Sequence, residues 1–210
     1  MSHRNLDYIL IVNSEPDVAD LFAEMLLMDA KKYVINTAHT GKDCLLTINR
    51  DKPGMILMDM ELPDMKGWDL IKQIKDSQPD MPIVIVTAKL PEIDDFSQFS
   101  MVSDYLVMPV TIDCLLVAVR DALEIPVILD RCIETVKGRK GSEGHILEAN
   151  IMLLKQSIGY RKLLILMEQL YPGKKLQDYP NIRSMMDTLR LEIGRMHSEL
   201  ETFKRDCLIV

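Results

Sequence analysis

A chain of 210 residues with 48% apolar and 27% charged side chains can bury a substantial core, which excludes a disordered polyelectrolyte and fits one ordinary domain with a helical extension. No run approaches the ~20 consecutive apolar residues of a membrane span, and Met1-Ser2-His3-Arg4-Asn5 lacks the apolar segment of a secretory signal, so the cytoplasm is the expected compartment. The net charge of −7 is unevenly spread: residues 1–129 hold 11 Lys+Arg against 21 Asp+Glu, and residues 130–210 hold 14 against 11. So small a basic excess in the second part lacks the concentrated positive face that phosphate binding needs, and a nucleic-acid partner is not expected.

Through the first 124 residues, short runs rich in β-branched residues alternate with amphipathic segments, the pattern of parallel strands buried on both faces and joined by helices. The predicted strands are Tyr8–Val12, Tyr33–Thr37, Met55–Met58, Ile83–Val86 and Asp104–Val107, with helices between them and after the last. Pro16 suits the first turn of the first helix, Thr40 caps the second ahead of Gly41, and Thr111 caps the fifth. In such a doubly wound sheet, ligands collect beyond the carboxyl ends of the strands, where strand order reverses.

After Glu124 only helical patterns remain, so the chain divides into residues 1–124 and a helical part, residues 125–210. Pro126 is expected to kink or restart a helix. Residues 137–144 form a Gly-rich charged loop, residues 146–171 a long apolar helix, and Pro172, Gly173 and Pro180 bracket a turn. The last segment carries a heptad seam, Ile182, Met186, Leu189, Ile193, Met196, Leu200, Phe203 and Cys207, at alternating spacings of 4 and 3. One edge is basic or titratable (Arg183, Arg190, His197, Lys204) and the other acidic (Glu192, Glu199, Asp206). A parallel homodimer would set Glu192 near His197 and Glu199 near Lys204 of a second copy; an intrachain bundle on the preceding apolar helix is the open alternative.

The cysteines Cys44, Cys114, Cys132 and Cys207 stand far apart without a C-x-x-C or Cys/His cluster, which argues against a zinc site or a disulfide framework. Cys207-Leu-Ile-Val210 spells a prenylation pattern, too short to carry weight.

The stretch Met58-Asp59-Met-Glu-Leu-Pro63-Asp-Met-Lys-Gly67-Trp-Asp-Leu70, with Ala38…Gly41…Cys44-Leu45, Pro82-Ile-Val-Ile-Val-Thr87-Ala88 and Asp104-Tyr105-Leu-Val-Met108-Pro109, resembles the receiver domain of two-component response regulators over residues 6–124. The resemblance implies a five-stranded, flavodoxin-like fold. It also implies that Asp59 stands in the phosphoacceptor position, Thr87 in that of the phosphoryl-contacting hydroxyl, Tyr105 in that of the switch aromatic, and Pro109 after a cis peptide bond.

In the family two acidic residues after the first strand join that aspartate in holding Mg²⁺, and a lysine after the fifth strand contacts the phosphoryl group. Here Asn13 and Ser14 stand in the acidic positions and Met108 in the lysine position. Carboxylate attack on a phosphoryl donor gathers negative charge, and both neutralising devices are damaged. Asp59 alone would bind Mg²⁺ weakly, so no resident cofactor is expected. Two substitutes present themselves: Glu15, which otherwise starts the first helix, and Lys89, which could reach Asp59 or pair with Glu61.

The expectation is therefore an atypical receiver, not an enzyme, that signals by binding protein partners independently of phosphorylation. The alternative is a conventional regulator phosphorylated at Asp59 by a histidine kinase, with a dimerising or DNA-binding helical output.

Overall fold

Five parallel strands, Asn5–Val12 (β1), Val34–Ala38 (β2), Pro53–Met58 (β3), Ile83–Thr87 (β4) and Asp104–Val107 (β5), form one sheet in the order β2-β1-β3-β4-β5. The computed structural model describes residues 5–29, 33–137 and 180–208, together with several residues between 149 and 168. The predicted loop at 137–144 and the turn at 172–180 fall almost entirely outside the described residues.

The central strand β3 is buried at all six positions, which is why its sequence is continuously apolar rather than alternating. One face of the sheet presents Ile9, Ile11, Met55, Leu57, Val84 and Val86 to Phe22 and Leu26 of helix α1 (Pro16–Leu27) and to Leu115, Val119 and Leu123 of helix α4 (Ile112–Lys137). The alternate residues Leu10, Ile56, Met58 and Ile85 point the other way, and helices α2 (Gly41–Arg50) and α3 (Gly67–Ser77) bury Cys44, Ile48, Leu70, Ile71 and Ile74. Pro16 opens α1, the Thr40 hydroxyl accepts the Asp43 N–H at 3.0 Å, and the Thr111 hydroxyl accepts the Cys114 N–H at 3.2 Å. Arg120 of α4 grips Asp29 beyond α1 through Nε at 3.0 Å and Nη2 at 3.3 Å, and the Tyr33 hydroxyl donates to the same carboxylate at 3.3 Å. Burial, and then Asp29, push the Tyr33 phenol up to about 12.

Two expectations need correction. Between β4 and β5 the chain forms a 3₁₀ helix, Ile93–Met101, where an α-helix was predicted. Its sequence, Ile-Asp-Asp-Phe-Ser-Gln-Phe-Ser-Met, is rich in Asp and Ser, which bond nearby backbone in competition with the α-helical ladder. Second, Pro126 does not restart a helix: it lies inside α4, which runs as one helix to Lys137.

The chain resolves into two compact units, Met1–Ile125 and Pro126–Val210. In the second, the described residues between 149 and 168 are helical, and helix α5 spans Pro180–Leu208. Along the heptad seam Met186, Leu189 and Met196 are buried within the single chain, as are Leu166 and Met167, while Ile193 is half-buried. Arg190 bonds Glu168 at 2.8 Å, and Arg195 ties up Glu192 at 2.8 Å and Glu199 at 3.3 Å on its own helix. The side chains of Ile182, Leu200, Phe203 and Cys207 lie outside the described residues. No helix among the described residues is long and apolar enough to cross a membrane.

Candidate functional site

The strand order reverses between β1 and β3, whose carboxyl ends lie side by side: Val12 pairs with Met58, and the Asp59 N–H donates to the Val12 carbonyl at 2.9 Å. Asn13 and Asp59 are the first residues past these ends, so the topology sets their side chains into one crevice. Thr87 ends β4 beside them and is fully buried.

The Asp59 carboxylate is already provided with donors. Thr87 Oγ1 donates to its Oδ1 at 2.6 Å, the Glu61 N–H to the same oxygen at 3.2 Å, and Asn13 Nδ2 to Oδ2 at 3.4 Å. The Asn13 amide cannot be turned round at no cost, because its Oδ1 accepts the Glu15 N–H at 2.8 Å and thereby caps the entrance to α1. Glu15 stands at the N-cap position of α1, and its side chain makes no cap bond. Ser14 Oγ donates to the Glu61 carbonyl at 3.2 Å, and His39 Nδ1 lies 2.9 Å from the Asn13 carbonyl.

Met108 is partly buried and packs against the apolar cluster on the α1/α4 face of the sheet, and its N–H donates to the Thr87 carbonyl at 2.9 Å. The following peptide bond, Met108–Pro109, is cis. Lys89 neither reaches Asp59 nor pairs with Glu61: its Nζ is 3.5 Å from Glu92, in an exposed i,i+3 contact worth little.

A divalent cation does not fit this donor set. The residue beside Asp59 presents an amide N–H where a metal needs oxygen, and the Ser14 hydroxyl is engaged with the Glu61 carbonyl. Among the described residues no group of three or more His, Cys, Asp and Glu is placed to hold a metal.

The loop after Asp59 is pinned on both sides. An antiparallel bridge joins Glu61 to Lys66, and Asp64 accepts the Gly41 N–H at 2.8 Å and the Lys42 N–H at 3.0 Å, neutralising two orphan donors of α2. Gly67 opens α3 against the backbone of Met60, where a Cβ would lie 2.9 Å from the Met60 Cα and oxygen. The Gly41 and Lys42 N–H groups hold the Asp64 carboxyl below its ordinary value, so its contribution to stability is complete above the unfolded pKa, near ~4, and is lost as pH falls through the lower folded value. Asp64→Asn should therefore lower the urea midpoint at pH 7, and the gap between variant and native chain should narrow as the pH drops below ~4.

Tyr105 is buried at 4% exposure, and its hydroxyl donates to the Lys89 carbonyl at 2.9 Å. Burial, then Asp95 and Asp59, raise its pKa, so the phenol stays a hydrogen-bond donor across the physiological range. Sequence reasoning passed over Phe99, whose ring centroid lies 5.1 Å from that of Tyr105 and 5.9 Å from that of Trp68. An aromatic spaced to meet both from the β4–β5 connection was the signal that could have singled it out.

These features define a receiver-type crevice, and the comparisons agree: the response regulator receiver domain family matches residues 9–120. The chain belongs to that family. It is similar to the transcriptional regulatory protein GlrR of Escherichia coli, 32% identical over 126 residues, which is 59% of this chain and 28% of GlrR. It is also similar to the regulatory protein LuxO of Vibrio cholerae, 38% identical over 91 residues, 42% of this chain and 20% of LuxO. Among solved structures, response regulator TrrA of Thermotoga maritima, in complex with Mg²⁺-BeF, superposes with a TM-score of 0.51 at 26% identity, covering 56% of this chain and 99% of that one. The matched stretch thus spans less than a third of GlrR or LuxO.

Proposed function

We propose that this response regulator receiver is an atypical one, which signals through protein–protein contacts and needs no phosphotransfer. The observation that carries the reading is the direction of the Asn13 amide: Nδ2 is aimed at Asp59 Oδ2, in the place where the family has a carboxylate for a metal. Met108 adds to it, since its thioether packs with the apolar cluster and brings no charge toward Asp59. The helical residues 125–210 then serve as an interaction platform. Burial of Met186, Leu189 and Met196 within one chain supports an intrachain bundle over a homodimer seam.

Acetyl phosphate or beryllofluoride with millimolar Mg²⁺ is expected to leave the intact mass and the Trp68 emission of the full chain unchanged. An adduct on the native chain that disappears in Asp59→Asn would overturn the proposal. The name of GlrR, a transcriptional regulatory protein, favours a second reading, in which this chain too regulates transcription and acts on DNA. Salt-sensitive binding of the full chain to duplex DNA would support that reading.

A further inference from the structure

The peptide bond between Asn13 and Ser14 is set apart first by sequence. Of the six asparagines in the chain, Asn13 alone precedes a small residue; the others precede Leu6, Thr37, Arg50, Ile151 and Ile182. A bulky or β-branched neighbour crowds the closure of an asparagine side chain onto the next backbone nitrogen, whereas a serine leaves that path open.

The fold adds three contacts to this open position. The Glu15 N–H donates to Asn13 Oδ1 at 2.8 Å, which draws electrons away from Cγ and favours attack on it. His39 Nδ1 lies 2.9 Å from the Asn13 carbonyl. A carbonyl only accepts, so the ring nitrogen carries the hydrogen, and this bond makes the Ser14 N–H more acidic. Asp59 Oδ2 lies 3.4 Å from Nδ2, the atom that must take up a proton before it can leave. The Ser14 N–H itself forms no hydrogen bond among the described residues, so none has to be broken.

We propose that Asn13 is a site of self-modification: the Asn13–Ser14 pair deamidates in the folded chain, and the crevice around Asp59 promotes the reaction. The Ser14 nitrogen gives up its proton and bonds to Asn13 Cγ. The Cγ–Nδ2 bond breaks as Nδ2 receives a proton through Asp59, so ammonia departs and a succinimide ring remains. Water then opens the ring at either carbonyl and leaves an aspartate or an isoaspartate at position 13. The balance is one water consumed and one ammonia released, with no oxidant, phosphodonor or metal. The product has lost the N–H that reached Asp59 and sets a second carboxylate against it, so the crevice changes state once and in one direction.

The reaction is independent of whether Asp59 takes a phosphoryl group, so its failure leaves the proposed function untouched. The full chain is incubated at neutral pH with chelator, digested and mapped by mass. The peptide containing position 13 is expected to gain the mass difference between an amide and an acid before any other asparagine does. It should do so about a hundredfold faster in the folded chain than in the same chain unfolded in guanidinium chloride, the scale of one positioned acid–base group. Asp59→Ala should lose most of that gain, and His39→Ala should slow conversion about fivefold, the scale of one hydrogen bond. The comparison of folded with unfolded native chain needs no variant, so it stands even where a substitution disturbs folding. The proposal is overturned if the unfolded chain converts at least as fast, if another asparagine converts first, or if a folded Asp59→Ala or His39→Ala chain matches the native rate.

Discussion

Asn13→Asp combined with Met108→Lys is expected to raise acyl-phosphate formation at Asp59, with acetyl phosphate and Mg²⁺, by about a hundredfold over the native chain, the scale on which one well-placed charge stabiliser acts in a desolvated site. The first change turns an N–H donor 3.4 Å from Asp59 into a carboxylate oxygen suited to a hard cation. The second replaces a thioether with an ammonium group at the end of β5. Asn13→Asp alone should be destabilised in chelator, because it sets two carboxylates against each other and removes the donor to Asp59; Mg²⁺ should recover the loss. Intact mass gives the first result and thermal midpoints with and without Mg²⁺ the second. Unchanged phosphorylation in the double variant would show that the deficit lies elsewhere than in these two side chains.

The largest loss of stability is expected from truncation in β3, and it should be nearly independent of which face is cut. Ile56 and Leu57 are adjacent, point to opposite sides of the sheet, and are 0% and 1% exposed. Each change to Ala removes buried methylenes and leaves a cavity in a region closed on both sides, at a cost of ~2–5 kcal/mol. Val34 on the edge strand β2, 57% exposed, should cost no more than ~0.5 kcal/mol on the same change. Urea titrations of the three variants check this: a β3 face that tolerates alanine would mean that its covering helix is not packed as described.

The alternation of apolar runs and amphipathic segments was enough for the five parallel strands and their order along the chain, because a strand covered on both faces must be apolar at every position, as Pro53–Met58 is. Turn chemistry at Pro16, Thr40 and Thr111 was legible for the same local reason. The 3₁₀ helix was not, since the choice between i+3 and i+4 bonding over Ile93–Met101 turns on what Phe99 packs against. Lys89 shows the same limit: the sequence offered Asp59 and Glu61 as partners for its charge, and the neighbouring Glu92 receives it.

Sequence by itself determined the residue types that a receiver crevice offers here, an asparagine, a serine and a methionine around one aspartate, and with them the shortage of positive charge. Tertiary structure alone decided how those groups use their hydrogen bonds. Whether the Asn13 amide turns its nitrogen or its oxygen to Asp59 depends on the Glu15 N–H at the entrance to α1, and whether the Tyr105 hydroxyl faces inward depends on the Lys89 carbonyl. Composition lists donors and acceptors; only the packed backbone directs each one to its partner.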